Sequence, residues 1–369
     1  MNEARFLGDG SRFGRNPVNC SPMNLRGLAR LARLSPSAVS LALRDSAKIS
    51  PATRARVRDL ARAHDYRPDA RIVEMMSHLR KPRAVRQQAC FAVISLYDSP
   101  QPWETSRHLS LVYSGMTARA TELGYRLEPL WLRAPGMTYQ RFRAVLDARG
   151  IQGLISFGSP DIAQDFPPLL DHYGIVTLGL SIRTPLHRVT SHFYNDTVNA
   201  LKETHRRGYH RPGLVLGRYE DERGAHAHVS AYLGWCEHAL GPGHALPVLR
   251  MEGVEERPLL DWMAHQRPDV VVFIHRYDQL PAFHALLRRQ RVRAPRDVGV
   301  VVVSHILEGT EFSGMQQNQP LMGAWAVELL AARIANRDFG IPAHPRIEMV
   351  ESRWIEGRTL RPPPRSTVD

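Results

Sequence analysis

Between Pro36 and Arg44 the sequence sets Ser37, Ser40, Leu41 and Arg44 three and four residues apart, the spacing of one helical face. Such a face offers hydroxyls for hydrogen bonds, an apolar side chain for a thymine methyl and a guanidinium for phosphate. Val39, Ala42 and Leu43 take the opposite side and point inward. A small polar face, basic at one end, suits an element lying in a DNA major groove. Leu41 has a second reading, as a core residue of a differently rotated helix.

Other chemistry finds little support. There is no Walker loop, G-x-G-x-x-G turn, G-x-S-x-G elbow or H-E-x-x-H helix. Among seventeen histidines, the pairs His226/His228 and His205/His210 lack cysteines or carboxylates at ligand spacing and read as surface histidines. No catalytic residue, metal site or cofactor is expected, and the chain does not read as an enzyme.

The elements that must position the polar face are short. Ser35-Pro36 starts its helix: a serine N-cap accepts from orphan N–H groups, and proline loses nothing at the first helical position. A preceding helix over Leu25–Ala32, capped by Asn24, turns Leu25, Leu28, Ala29 and Ala32 inward. Arg33-Leu34-Ser35 is the turn between them. Ser50-Pro51 repeats the start signal for a third helix, where Val57, Leu60, Ala61 and His64 share a face and Arg54, Arg56, Arg58 and Arg62 occupy the others. Three helices in about 45 residues enclose little core and are marginal alone. Residues 23–89 hold fifteen Lys and Arg against five Asp and Glu, most of the chain's net +13. A solvated basic surface would show this too, but such concentration favours phosphate binding.

Leu-x-x-Leu-Ala, Leu-Ser-x-Ser-Ala-Val-Ser-x-Ala-Leu, Ile-Ser-x-x-Thr-Arg-x-x-Val and Tyr66-Arg67-Pro68-Asp69 follow one another here in order. This series resembles the headpiece of the LacI/GalR family of transcriptional regulators, densely over residues 24–79. The resemblance implies base reading by Pro36, Ser37 and Leu41, and phosphate contacts from Asn24, Ser35, Ser40, Arg44, Lys48, Thr53 and Arg54. It also implies a hinge helix in residues 69–79, with Met75 as the apolar wedge in the minor groove. The stripe Ile72, Met75, Met76 and Leu79 equally suits packing on the headpiece or on a second copy. Glu74 departs from the family habit by placing a negative charge near phosphate.

From Cys90 the pattern alternates. Strand-like runs occupy 90–97, 125–132, 153–158, 175–180, 213–217, 270–274 and 298–304. Helical runs lie between them at 109–123, 139–148, 198–207, 228–240, 280–290 and 321–334. Continuous apolar strands joined by amphipathic helices give parallel sheets covered on both faces. The expected fold is therefore a small all-α helix-turn-helix headpiece followed by an α/β, two-lobed, periplasmic-binding-protein-like domain with two Rossmann-like sheets. Expected boundaries are a disordered lead-in at 1–22, the headpiece at 23–68, hinge and linker at 69–89, the effector and dimerisation domain at 90–362, and a tail at 363–369. Within that domain the N-lobe takes about 90–208 and 319–346, and the C-lobe about 209–318 and 347–362. Met23, just before the first helix, is a candidate initiation residue.

The family anchors sugars between its lobes. By that resemblance, Asp196 is kept, while an arginine is replaced by Ala231 and an aspartate by Ser304, followed by His305. Losing a bidentate arginine and a carboxylate removes groups that pair with sugar hydroxyls. Tyr97, Asp98, Trp103, Trp235, His275 and Arg276 are expected to build a different pocket with Asp196 and Ser304. A cleft that binds nothing and serves only dimerisation is the alternative.

Three cysteines, far apart, make a disulfide framework unexpected, and no apolar run approaches the ~20 residues of a membrane helix. The expectation is a cytoplasmic, nucleoid-associated homodimer or tetramer that binds double-stranded operator DNA and a small-molecule effector, a sugar or sugar derivative being one candidate. A ligand-binding module without operator specificity is the rival reading.

Overall fold

The computed structural model describes residues 24–43, 46, 48–64, 66, 89–161, 164–167, 170–304 and 308–363, with backbone alone for Tyr277 and Ser304. The chain divides into two compact units, residues 1–86 and 87–369. The lead-in, Met23, Arg44, the hinge segment with Met75, His305 and the tail beyond residue 363 lie outside the described residues.

The first unit contains α1 (Leu25–Ala32), α2 (Pro36–Leu43) and α3 (Pro51–Ala63). Each helix starts on a side-chain oxygen. Asn24 accepts from the Gly27 N–H at 2.8 Å, Ser35 from Ala38 at 3.2 Å and Ser50 from Thr53 at 3.3 Å. Arg33 ends α1 in the left-handed region at φ 51°, which turns the chain sharply into α2. Leu28, Ala29, Ala32, Val39, Ala42, Val57 and Ala61 form the small core, with Leu25, Leu43 and Leu60 packed against it. His64, expected inward, is exposed: it is the C-cap residue of α3, beyond the last packed turn.

The second unit follows as β1 (Cys90–Ser95), α4 (Arg107–Glu122), β2 (Arg126–Trp131), α5 (Tyr139–Ala148), β3 (Gly153–Ser156), β4 (Gly174–Leu178) and β5 (His187–Ser191). Then come α6 (Phe193–Arg206), β6 (Pro212–Gly217), α7 (Arg218–Arg223), α8 (Ala227–Leu240), β7 (Leu249–Met251) and α9 (Glu256–Gln266). The chain continues through β8 (Val270–Ile274), α10 (Leu280–Arg289), β9 (Gly299–Ser304), β10 (Ser313–Gln316), α11 (Gln319–Asn336), β11 (Ile347–Val350) and β12 (Arg353–Ile355). Two six-stranded sheets result, ordered β11-β5-β4-β3-β1-β2 and β12-β10-β9-β8-β6-β7. All pairings are parallel except that of β10 with β12.

Continuous apolar strands follow from burial on both faces. Phe91 and Val93 face the layer of α4 and α11, whereas Ala92 and Ile94 face Phe142 and Leu146 of α5. In the second sheet Val270, Val272 and Ile274 face Leu201, Tyr232 and Cys236, while Val271 and Phe273 face Leu259 and Phe283. Helices α4 and α11 pack at backbone distance. A Cβ on Gly115 would overlap the Pro320 carbonyl, and one on Gly323 the Val112 carbonyl.

The chain crosses between lobes three times, and two crossings differ from the expected boundaries. The first falls at His192, not after residue 208, because α6 lays Val198, Ala200 and Leu201 into the second lobe's core. A later return runs through Gln317 and Asn318 into α11. The last crossing follows Val350, not residue 346: β11 extends the first sheet beside β5, and only β12 joins the second.

Candidate nucleic-acid interface and effector cleft

In α2, Val39 and Ala42 are fully buried, which fixes the rotation of the helix and presents Pro36 and Ser37 to solvent, with Ser40 and Leu41 half-buried. Leu41 is therefore not part of the buried headpiece core. Ser35 Oγ and Ser37 Oγ lie 2.9 Å apart, so the capping serine also orients its neighbour. Lys48 is exposed, Arg54 half-buried, and Thr53 Oγ1 lies 2.8 Å from Ser50 Oγ. Arg56, though exposed, also has a structural contact: it donates through Nη2 to the Ala32 carbonyl at 2.9 Å, tying α3 to the end of α1. Asn24, Ser35, Pro36, Ser37, Ser40, Leu41, Lys48, Thr53 and Arg54 thus belong to one three-helix unit.

In the second unit a cavity of about 490 Å³ opens between the lobes. Of the expected ligand residues, Tyr97, His275 and Arg276 line it. Four do not. Trp103 is core, stacked on Tyr113 with centroids 4.3 Å apart and on Phe157 at 5.2 Å. Trp235 is likewise packed in the second lobe, against His205. Asp98 carries a 93% exposed carboxylate that pairs with Arg133 at 3.3 Å. Asp196 sits in the first turn of α6, completely buried where the crossings meet. Its Oδ2 accepts from Gln317 Nε2 at 3.2 Å, and the adjacent Asn195 Nδ2 donates to Glu351 at 3.0 Å. Burial pushes the Asp196 carboxyl up to about 7. Asp196 thus packs among the crossing segments and is not on the cavity wall. Ser304 ends β9, and its side chain lies outside the described residues.

Several lining residues escaped the sequence reading. His228, expected at the surface, is buried on the cavity wall, its Nδ1 2.7 Å from Thr197 Oγ1, and burial holds its ring down at about 4. Tyr219, Glu220 and Arg223 come from α7, a charged stretch with no apolar periodicity to flag it. Gly217 makes their arrangement possible, since a Cβ there would overlap Glu220 Oε2. Tyr219 and Arg223 reach across the cleft. The Tyr219 hydroxyl donates to the Pro160 carbonyl at 3.1 Å, and Arg223 Nη1 donates to the Ser159 carbonyl and to Tyr219 Oη, each at 2.6 Å. Facing them, the Arg276 N–H donates to His275 Nδ1 at 2.9 Å, which leaves the ring proton on Nε2. Burial lowers the His275 pKa to about 4 and raises that of Glu220 to about 7. Arg276 is paired with Asp278 at 2.6 Å. Among the described residues no group of His, Cys, Asp and Glu could hold a metal ion. No helix among them is long and apolar enough to cross a membrane.

A helix-turn-helix unit followed by two parallel-sheet lobes around a cleft defines a class of ligand-responsive DNA-binding proteins. Residues 24–69 match the family "Bacterial regulatory proteins, lacI family", and residues 201–360 match "Periplasmic binding protein-like domain". The chain is a LacI-family transcriptional regulator with a periplasmic-binding-protein-like domain. Among solved structures it is similar to a transcriptional regulator CelR–cellobiose complex, with TM-score 0.56 and 21% identity over 91% of this chain and 99% of that one. It is also similar to a lac repressor dimer bound to operator and the anti-inducer ONPF, with TM-score 0.54 and 15% identity over 92% and 99%. A LacI-type regulator from Alkaliphilus metalliredigens complexed with D-xylulofuranose gives TM-score 0.53 and 15% identity over 73% and 98%. At these identities the likeness shows the fold. No curated protein matched the sequence.

Proposed function

We propose that this chain is a homodimeric repressor that binds a pseudo-palindromic operator under control of a small molecule held between its lobes. The observation that carries the reading is the rotation of α2: Val39 and Ala42 buried, Ser37 exposed and Leu41 half-buried on the outer side. On this reading Pro36, Ser37 and Leu41 meet base edges. Asn24, Ser35, Ser40, Arg44, Lys48, Thr53 and Arg54 meet phosphates, and Met75 is the minor-groove wedge. The effector shifts the DNA-competent population by its differential affinity for the two states of the cleft. Tyr97, His275 and Arg276 are its expected contacts, now joined by Glu220, Arg223 and His228. The protein acts in the cytoplasm on nucleoid DNA and performs no catalysis.

Structures of this fold carry cellobiose, glucose and D-xylulofuranose, which supports the cleft as a small-molecule site. Anisotropy titrations on DNA from the chain's own upstream region test the proposal. Affinity is expected to fall steeply with salt, since each phosphate contact releases counterions. Replacing Leu41 should change operator preference, since a mismatched base pair in a specific site typically costs about 1–3 kcal/mol. Lys48→Ala should weaken binding to all sequences alike. Salt-independent binding, or equal affinity for unrelated sequences, contradicts the reading.

A further inference from the structure

A sugar presents several hydroxyls, and each that loses water without a protein partner costs about 1–3 kcal/mol. The polar groups around this cleft are largely committed to one another. Tyr219 donates to Pro160, Arg276 is paired with Asp278, His228 holds Thr197, and Gln317 holds Asp196. Much of the remaining wall is apolar, including Val112, Phe157, Leu178, Phe193, Ile274 and Met322.

Two features stand out against that wall. Arg223 lines the cavity half-buried, hydrogen-bonded to the Ser159 carbonyl and to the phenols of Tyr219 and Tyr97, with the Glu220 carboxyl near enough to feel its charge but not in an ion pair with it. No carboxylate of the described residues forms an ion pair with it, unlike Arg276 with Asp278. A guanidinium keeps its charge at any physiological pH, and its planar fork matches a carboxylate. Secondly, the His275 side chain is 1% exposed, and its Nε2 finds no hydrogen-bond partner although the residue lines the cavity. With Nδ1 occupied by the Arg276 N–H, that Nε2 is a donor without an acceptor.

We propose that the cleft takes a small organic monoanion, a carboxylate on an aromatic or aliphatic body, with Arg223 meeting the carboxylate and His275 Nε2–H meeting a ligand oxygen. This rests on the reading of the cleft as the effector site. The apolar wall takes the body, and a cavity of about 490 Å³ is the size of a small-ligand site. Glu220 does not stand in the way. Burial raises its carboxyl to about 7 against the pull of the Arg276 and Arg223 charges, so it is only partly ionised at neutral pH, and Gly217 gives it room to fold back beside His275 Nδ1, 3.5 Å from Oε2.

Calorimetry on the full chain without DNA tests this, using 3-phenylpropanoate, 3-phenylpropan-1-ol, D-glucose and cellobiose as probes. The acid should bind at least about tenfold tighter than the matched alcohol, as a charge-assisted contact outweighs a neutral one. Both sugars should bind more weakly than the acid. Arg223→Met should cost the acid at least about tenfold more affinity than the alcohol and so remove the acid's advantage; Arg223→Lys should keep part of that advantage, which guards against a folding defect in the methionine variant. Equal affinity for acid and alcohol, tighter binding of either sugar, or no binding of any probe at millimolar concentration overturns the proposal. Acid binding that leaves operator affinity unchanged supports the site and counts against the regulatory reading alone.

Discussion

Leu28→Ala should unfold the headpiece and abolish DNA binding while leaving the body folded. Leu28 is 0% exposed and lies in a core of seven buried residues, most of them alanine and valine. Truncating a buried leucine costs about 2–5 kcal/mol, since the lost transfer energy adds to that of the cavity left behind. A three-helix unit of this size holds little more stability than that. The body, residues 87–369, forms a separate compact unit with its own cores, so its melting should not move. Circular dichroism and limited proteolysis of the full chain check this. A single transition shifted as a whole would show that the units unfold together.

Asp196→Asn should stabilise the body at pH 8 and change little at pH 4. Burial raises the folded carboxyl from the ordinary 3.8 to about 7. The native state therefore holds this proton more tightly than the unfolded chain does. Asp196's contribution is fully present below pH 4 and is lost as pH rises through 7. A shift of about three units corresponds to about 4 kcal/mol, on the order of a large core substitution. Asparagine keeps an oxygen for Gln317 Nε2 and cannot ionise. Urea unfolding of both proteins across this range isolates the effect, because every other titrating group cancels in the difference. Equal loss of stability at both pH values would show that the carboxylate is held ionised.

Much of the architecture was legible because its signals are local. Asn24, Ser35 and Ser50 cap the helices that their types announce, and Val270–Ile274 and Gly299–Ser304 are β-branched runs that a buried parallel strand requires. Elements held by distant partners were not legible. Strand β5 contains His187 and Arg188, whose polar types give no apolar run to announce a buried strand. Arg188 is buried only because the carbonyls of Gly179, Ile182 and Thr184 take its N–H groups. Helix α6 begins five residues earlier than its apolar pattern suggests, because the His192 ring accepts from the Asn195 N–H, a cap that histidine rarely provides. In the cleft, aromatic content misled: Trp103 and Trp235 are large enough to be core, and the lining comes instead from the polar stretch 218–223. Gly217, just ahead of it, is where the close approach of Glu220 leaves no room for a Cβ.

Selecting binding sites from random DNA with the full chain decides whether α2 reads sequence for a dimer. Two inverted half-sites should be enriched, with the preferred bases changing when Leu41 is replaced. Enrichment of a single unrepeated site, or of no sequence at all, would contradict that reading.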